Sequence, residues 1–265
     1  MFYICLNICS MTTQNETNIK ILFRVLQPGC VVTPGWLEAC GISRNLQNYY
    51  LKSGWLESIG RGAYKRPSDD IEWKGALSAI QNQTNTKVHV GGLTALELQG
   101  FSHYLRMSKN TLQLFSPLKT KLPKWFAEYE WKLDIEHHLT SYLPFESGIM
   151  EFETDQFMIN VSTPERAILE CLLLSPQKMD LVECYHILEG LVNLKPKLLN
   201  ELLVSCDSVK VRRLFLYLAH KTNHQWVHYL EPEKIDLGKG NRMLEERGVY
   251  IPKYLLSVPK ELADL

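Results

Sequence analysis

Residues that start and stop helices crowd the stretch from Thr33 to Gly62 and leave room only for short elements. Thr33 can cap a helix, and Pro34 at its first position loses only an amide hydrogen that had no partner. Gly41 stands where a helix end favours a left-handed residue. One residue later Ser43 can cap a second helix, Ser43 to Ser53, which Gly54 ends. Upstream, Ile19, Leu22, Val25 and Leu26 recur at helical spacing until Pro28-Gly29 stops them. Two short helices joined by a glycine-containing turn form a helix-turn-helix. Directly after them, Trp55, Glu57 and Ile59 alternate as in a strand. Gly60-Arg61-Gly62 permits a tight reversal, and Ala63-Tyr64-Lys65-Arg66 returns. Three helices and a hairpin within residues 19–66 predict a winged helix.

On a wheel at 100° per residue, Leu46, Tyr49, Tyr50 and Ser53 of the second helix share one side. Arg44, Gln47, Asn48 and Lys52 fall broadly opposite, with Leu51 among them. That polar side carries what DNA readout needs. Arginine can bond guanine bidentately, asparagine and glutamine can bond adenine, and lysine neutralises phosphate. The expected DNA-binding set is Thr33, Ser43, Arg44, Gln47, Asn48, Lys52, Arg61 at the wing tip, and Lys65 and Arg66 on its exit. A polar helix face can also be plain solvated surface, and winged helices also serve as protein-interaction modules; order and spacing favour DNA.

Charge refines this expectation. The 265 residues carry 29 lysines and arginines against 29 aspartates and glutamates, which excludes a uniformly basic nucleic-acid coat and an acidic disordered chain. The balance is regional. Residues 19–66 hold seven bases and two acids, and residues 103–124 hold Arg106, Lys109, Lys119, Lys121 and Lys124 with no acid. The second run is either a solvated surface or a further positive patch following the DNA backbone. Residues 125–156 swing the other way, with one base and eight acids.

Hydrophobic residues at 45% suffice for real cores, and no apolar run approaches the roughly 18 residues a spanning helix needs. The seven cysteines, at 5, 9, 30, 40, 171, 184 and 206, are odd in number and form no C-x-x-C pair. They are read as free thiols of a reducing cytoplasm in a soluble protein. MFYICLNICS at the start lacks a basic region and a cleavage site for a secretion signal. Residues 1–18 are read as a disordered leader, and the first ten of them either as part of it or as an over-long start, with Met11 as an alternative beginning.

Residues 67–265 read as a larger α+β domain with a helical C-terminal half. A helix through Trp73, Ala76, Leu77 and Ile80 is expected to break at Gln81–Thr86. Strands are expected at Lys87–Val90, Thr111–Phe115, Trp131–Leu139, Ile149–Phe152 and Phe157–Val161, with a helix at Leu93–Leu98. Ser162-Thr163-Pro164-Glu165 has the residues of a helix cap and capping box. Helices are expected over Ala167–Leu174, Leu181–Leu191, Lys197–Val204 and Val209–His220, and a strand in the tail Val249–Leu256. Gly91-Gly92 reads as a tight strand-to-helix turn, since no phosphate-loop pattern surrounds it. Asp134-Ile135-Glu136-His137-His138 lacks a second ligand cluster and reads as an edge strand, not a metal site. With no nucleophile elbow and no Cys–His pattern, no catalytic constellation, metal or cofactor is expected.

GWLE-x-IGRGAYK at 54–65, GGLTALELQG at 91–100, SHYL at 102–105 and STPERAILE at 162–170 together resemble the AbiEi family, the antitoxins of type IV toxin–antitoxin systems. The likeness spans about residues 19–256. It implies a non-enzymatic protein whose winged helix represses its own promoter at inverted repeats and whose C-terminal domain acts as antitoxin. It also implies an AbiEii-like nucleotidyltransferase toxin as functional partner, with or without a stable complex, and a monomer that binds DNA cooperatively. The competing reading is a stand-alone regulator whose second domain senses a ligand or a protein. An enzyme with a DNA-targeting arm ranks third, because the motifs it needs are missing.

Overall fold

The computed structural model describes residues 18–101, 110–154, 156–244 and 248–265. The chain folds as two compact units. The first comprises the described part of Met1–Val88 with Lys119–Lys132 and Glu151–Asn160; the second comprises His89–Leu118, Leu133–Met150 and Val161–Leu265. Among the described residues no helix is long and apolar enough to cross a membrane.

In the first unit, helix α1 (Asn18–Val25) precedes strand β1 (Val31–Val32), α2 (Pro34–Ala39) and α3 (Arg44–Lys52). Both expected caps form: Thr33 accepts a bond from the Trp36 amide and Ser43 from the Leu46 amide. Gly41 (φ +89°) and Gly54 (φ +75°) take the left-handed conformation that terminates α2 and α3. The wing is β2 (Glu57–Gly60) and β3 (Ala63–Lys65), paired antiparallel with a bulge between Ser58 and Gly60. β1 adds to β3, Val32 facing Tyr64, to give the order β1-β3-β2. Ile21, Leu22, Leu26, Leu37, Ile42, Tyr50 and Leu56 form the core beneath.

This unit extends past Arg66. Helix α4 (Trp73–Gln83) runs through the expected break at Gln81 because its glutamines bond buried backbone. Gln83 donates to Val31 O and accepts from Thr33 N, while Gln81 donates to Val88 O and Asn160 O. These carbonyls would otherwise be stranded away from water.

The second unit is built on a sheet of order β6-β5-β4-β8-β7. Its strands are β4 (His89–Val90), β5 (Thr111–Ser116), β6 (Asp134–Leu139), β7 (Ile149–Glu153) and β8 (Met158–Ser162), the last two continuing along the chain into residues of the first unit. Helix α5 (Gly92–Leu98) follows β4, and α6 (Lys124–Ala127) belongs to the first unit. The helical half is α7 (Pro164–Leu174), α8 (Leu181–Gly190), α9 (Pro196–Ser205) and α10 (Val209–Thr222). The tail is divided into β9 (Arg242–Met243), β10 (Val249–Ile251), β11 (Leu256–Val258) and α11 (Lys260–Asp264), and the buried Arg213 pins it by donating to Leu237 O, Gly240 O and Leu255 O. Strands before helices make this unit α+β, as the sequence predicts.

At its centre is a buried carboxylate. Glu170 Oε1 takes bonds from Arg166 Nε and His89 Nε2, both at 2.9 Å; Oε2 takes them from Gly92 N at 2.9 Å and Ser162 Oγ at 2.8 Å. The capping box expected at residues 162–165 therefore does not form. The Thr163 side chain makes no cap bond, Ser162 turns to Glu170, and Glu165 accepts from Lys195 N at 2.8 Å. Filling the demands of a desolvated carboxylate outweighs one cap hydrogen bond. The glycine pair is explained by the same hub. A Cβ on Gly91 would run into Glu170 Oε2 and Phe115, and Gly92 adopts φ +54°.

Burial raises the Glu170 pKa, but the charges and hydrogen bonds of His89 and Arg166 outweigh it and bring the carboxyl down to about 2. Burial holds His89 below its ordinary 6.5 in spite of Glu170. Both shifts favour the unfolded chain as proton acceptor in acid, so stability falls with pH in two stages. The His89 contribution is lost from 6.5 downward, and the Glu170 contribution, complete above 4.5, is lost toward 2. Thermal melts between neutral pH and about pH 3 will show this decline, and His89→Gln will flatten part of the upper stage.

Candidate nucleic-acid interface

α3 lies across α2 with Leu46, Gln47, Tyr50 and Leu51 turned inward. Its outward face is Arg44, Asn45, Asn48, Tyr49 and Lys52. Gln47, expected to contact DNA, is 0% exposed, and its amide donates to Pro34 O at 3.0 Å and Ile42 O at 2.8 Å. Those carbonyls belong to the start of α2 and the turn after it, and this one side chain bonds both; Gln47 is thus a clamp of the helix-turn-helix. Tyr49, expected on the buried side, is 61% exposed. Rotating the wheel to put Tyr50 and Leu46 inward recovers the observed face, Asn45 and Tyr49 included. The face offers two amides for base edges, a phenol, and Lys52 for phosphate. Arg44 is half exposed and paired to Glu38 at 2.9 Å.

Two further expected contacts are spent inside the unit. Thr33 is buried, its hydroxyl serving Trp36 N. Lys65, its side chain 13% exposed, pairs with Glu57 across the hairpin at 3.3 Å and donates to Asp69 O at 2.7 Å. Ser43, Asn48, Lys52, Arg61 and Arg66 stay exposed. Arg61 sits on the wing turn between two glycines of positive φ.

The second basic run is divided. Arg106 and Lys109 lie outside the described residues. Lys119, Lys121 and Lys124 are exposed and belong to the first unit, together with the winged helix. α6 packs against β2; a Cβ on Gly60 would come within 3.0 Å of Trp125 Cβ. Lys124 therefore enters beside the wing, and Lys119 and Lys121 lie in the segment that leads to it. Among the described residues, Lys52, Arg61, Arg66, Lys119, Lys121 and Lys124 make no ion pair. No local sequence signal places residue 124 next to residue 60; the contact is long-range.

Elsewhere, His137 bonds Ser116 Oγ at 2.9 Å and His138 bonds Glu136 at 3.1 Å, both on or beside β6. Among the described residues no cluster of histidine, cysteine and carboxylate could hold a metal ion. Cys30, Cys40, Cys171, Cys184 and Cys206 are buried free thiols, and burial pushes Cys184 up to about 12.

The fold defines a winged helix, with a mixed α+β unit in the same chain. The family model for the N-terminal domain of the AbiEi antitoxin transcriptional regulators matches residues 15–107. The model described as transcriptional regulator, AbiEi antitoxin, type IV toxin–antitoxin system matches residues 109–259. The chain belongs to the AbiEi family, one of transcriptional regulators and antitoxins. Among solved structures it is similar to the RV2827C protein from Mycobacterium tuberculosis, at 15% identity over 86% of this chain and 85% of that one, with a TM-score of 0.54; the likeness is one of fold. No curated protein matches the chain.

The buried clamp leads to a direct expectation. Gln47→Leu will lower stability by about 1–3 kcal/mol in urea denaturation, because two carbonyls lose their donor. The folded variant will keep its base preference on DNA, which a base-contacting residue would not.

Proposed function

We propose that this AbiEi antitoxin represses its own promoter. α3 enters the major groove at each half of an inverted repeat, and Arg61 on the wing reaches the flanking backbone. The observation that carries this reading is the convergence of uncommitted polar groups in the first unit: Asn45, Asn48 and Lys52 on one helix face, Arg61 and Arg66 on the wing, and Lys119, Lys121 and Lys124 in the segment packed against it. Asn48 is the proposed base reader, and the lysines of residues 119–124 continue the phosphate track. Monomers pair on the repeat cooperatively.

The C-terminal region, residues 67–265, carries antitoxin activity against an AbiEii-like nucleotidyltransferase toxin in the cytoplasm, without needing a stable complex. Buried free thiols accord with a reducing compartment.

In gel shifts with the upstream promoter, Asn48→Ala will cost about 1–3 kcal/mol and relax specificity at one position. Lys119→Ala, Lys121→Ala and Lys124→Ala together will make the salt dependence shallower by about 2–3 units of slope, with specificity unchanged. An unaltered slope makes the three lysines plain solvated surface. For the antitoxin role, the full chain expressed from an unrelated promoter will restore growth to cells expressing the adjacent toxin gene. Asn48→Ala combined with Arg61→Ala will still do so, because neutralisation does not need the promoter. Failure of the wild type to rescue growth refutes the antitoxin assignment.

A further inference from the structure

The second unit holds a cavity of about 310 Å³ between the ends of β4 and β5 and the loop 140–145. That is the lower end of the size range of small-molecule sites. Leu143 and Phe145 give it apolar walls, Phe115 stands behind them with its ring covered by His89 and His138, and Thr140, Ser141 and Asp207 stand among its polar lining. His89 also lines it. Its ring stacks on Phe115 with centroids 5.9 Å apart and an interplanar angle of 17°, and meets Phe145 at 5.4 Å.

His89 is 1% exposed, and its Nδ1 has no hydrogen-bond partner among the described residues. Its other nitrogen faces an ionised carboxylate at 2.9 Å, so the proton sits on Nε2 and Nδ1 presents a lone pair. A buried acceptor left without a donor is costly, and the hub that fixes the ring prevents it from turning to find one. No free positive charge is at hand, because Arg166 is committed to Glu170 and to the carbonyls of Pro144, Phe145 and Ser147. The cavity therefore suits neither an anion nor a second acceptor.

We propose that this cavity is a binding site for a small, neutral, planar aromatic molecule bearing a ring N–H, which donates to His89 Nδ1 while its face lies against Phe145. One or two fused rings fit the space, and the exposed Ser141 lies at the mouth. This reading is independent of DNA binding and toxin neutralisation.

The test uses the full chain with indole, and with benzofuran as the same shape lacking the N–H. In calorimetric titration indole will bind at least about tenfold more tightly than benzofuran, since only it satisfies the buried acceptor. Indole will also raise the melting temperature. His89→Leu, of similar bulk, deletes the Nδ1 acceptor without supplying another, so the folded variant will bind the two compounds alike. Ser141→Trp, an exposed position whose side chain fills the mouth, will abolish binding of both and does not depend on the hub staying intact. The proposal is overturned if indole does not bind, if it binds no better than benzofuran to the wild type, or if Ser141→Trp leaves its affinity unchanged. None of these readouts involves the promoter or the toxin, so they fail or succeed apart from the regulatory reading.

Discussion

The Glu170 carboxylate is the contact on which the second unit depends. Placing a charge in an apolar interior costs several kcal/mol, and only a full set of donors offsets it. Glu170 receives four, from a strand (His89), a glycine turn (Gly92), the end of another strand (Ser162) and the preceding turn of its own helix (Arg166). Each donor fixes one element against α7. The demand propagates outward, since Arg166 in turn gathers three carbonyls of the loop before β7. Two sequence motifs far apart in the chain, GGLTALELQG and STPERAILE, are thereby two halves of one hydrogen-bonded site. Removing one partner of such a set is far costlier than never having built it, which makes this a device for fixing a unique arrangement more than a source of net stability.

Gln47 plays the corresponding part in the first unit on a smaller scale. A neutral amide clamps the two carbonyls that set how α3 follows α2, and the outward face of α3 is what remains after that inward duty is met. The wing is fixed differently. Gly60 lets the backbone come close enough for Trp125 to sit against it, so the segment bearing Lys119, Lys121 and Lys124 is held where the wing is. Geometry and charge thus come from the same contact.

Local chemistry was legible in the sequence, and long-range chemistry was not. Thr33, Ser43, Gly41 and Gly54 announced the helix boundaries because caps act over three or four residues. The strand order of the second unit and the identity of Glu170 as its hub left no such trace, because three of its four donors lie 8 to 81 residues away and meet there only after folding. The misreadings share a cause. Polarity and local pattern alone place Gln47 and Lys65 on the surface and Ser162 in a cap. A polar side chain is equally the means by which a fold satisfies buried groups, and which use applies is decided by partners that sequence spacing does not reveal. Tyr49 is the reverse case, an aromatic residue that packing left outside.

The first unit is assembled from three separated stretches of chain, and that order has a consequence for synthesis. Residues 18–66 emerge from the ribosome early, yet Trp125 of the wing support and Phe157, which lies against Gly29 and Gly75, follow much later. At about 5–20 residues per second, several seconds separate the appearance of residues 18–66 from that of the last of these contacts. During that interval the nascent winged helix lacks the contacts that hold the wing and the lysines beside it. The unit is complete only once residues 151–160 have been added, past the middle of the chain.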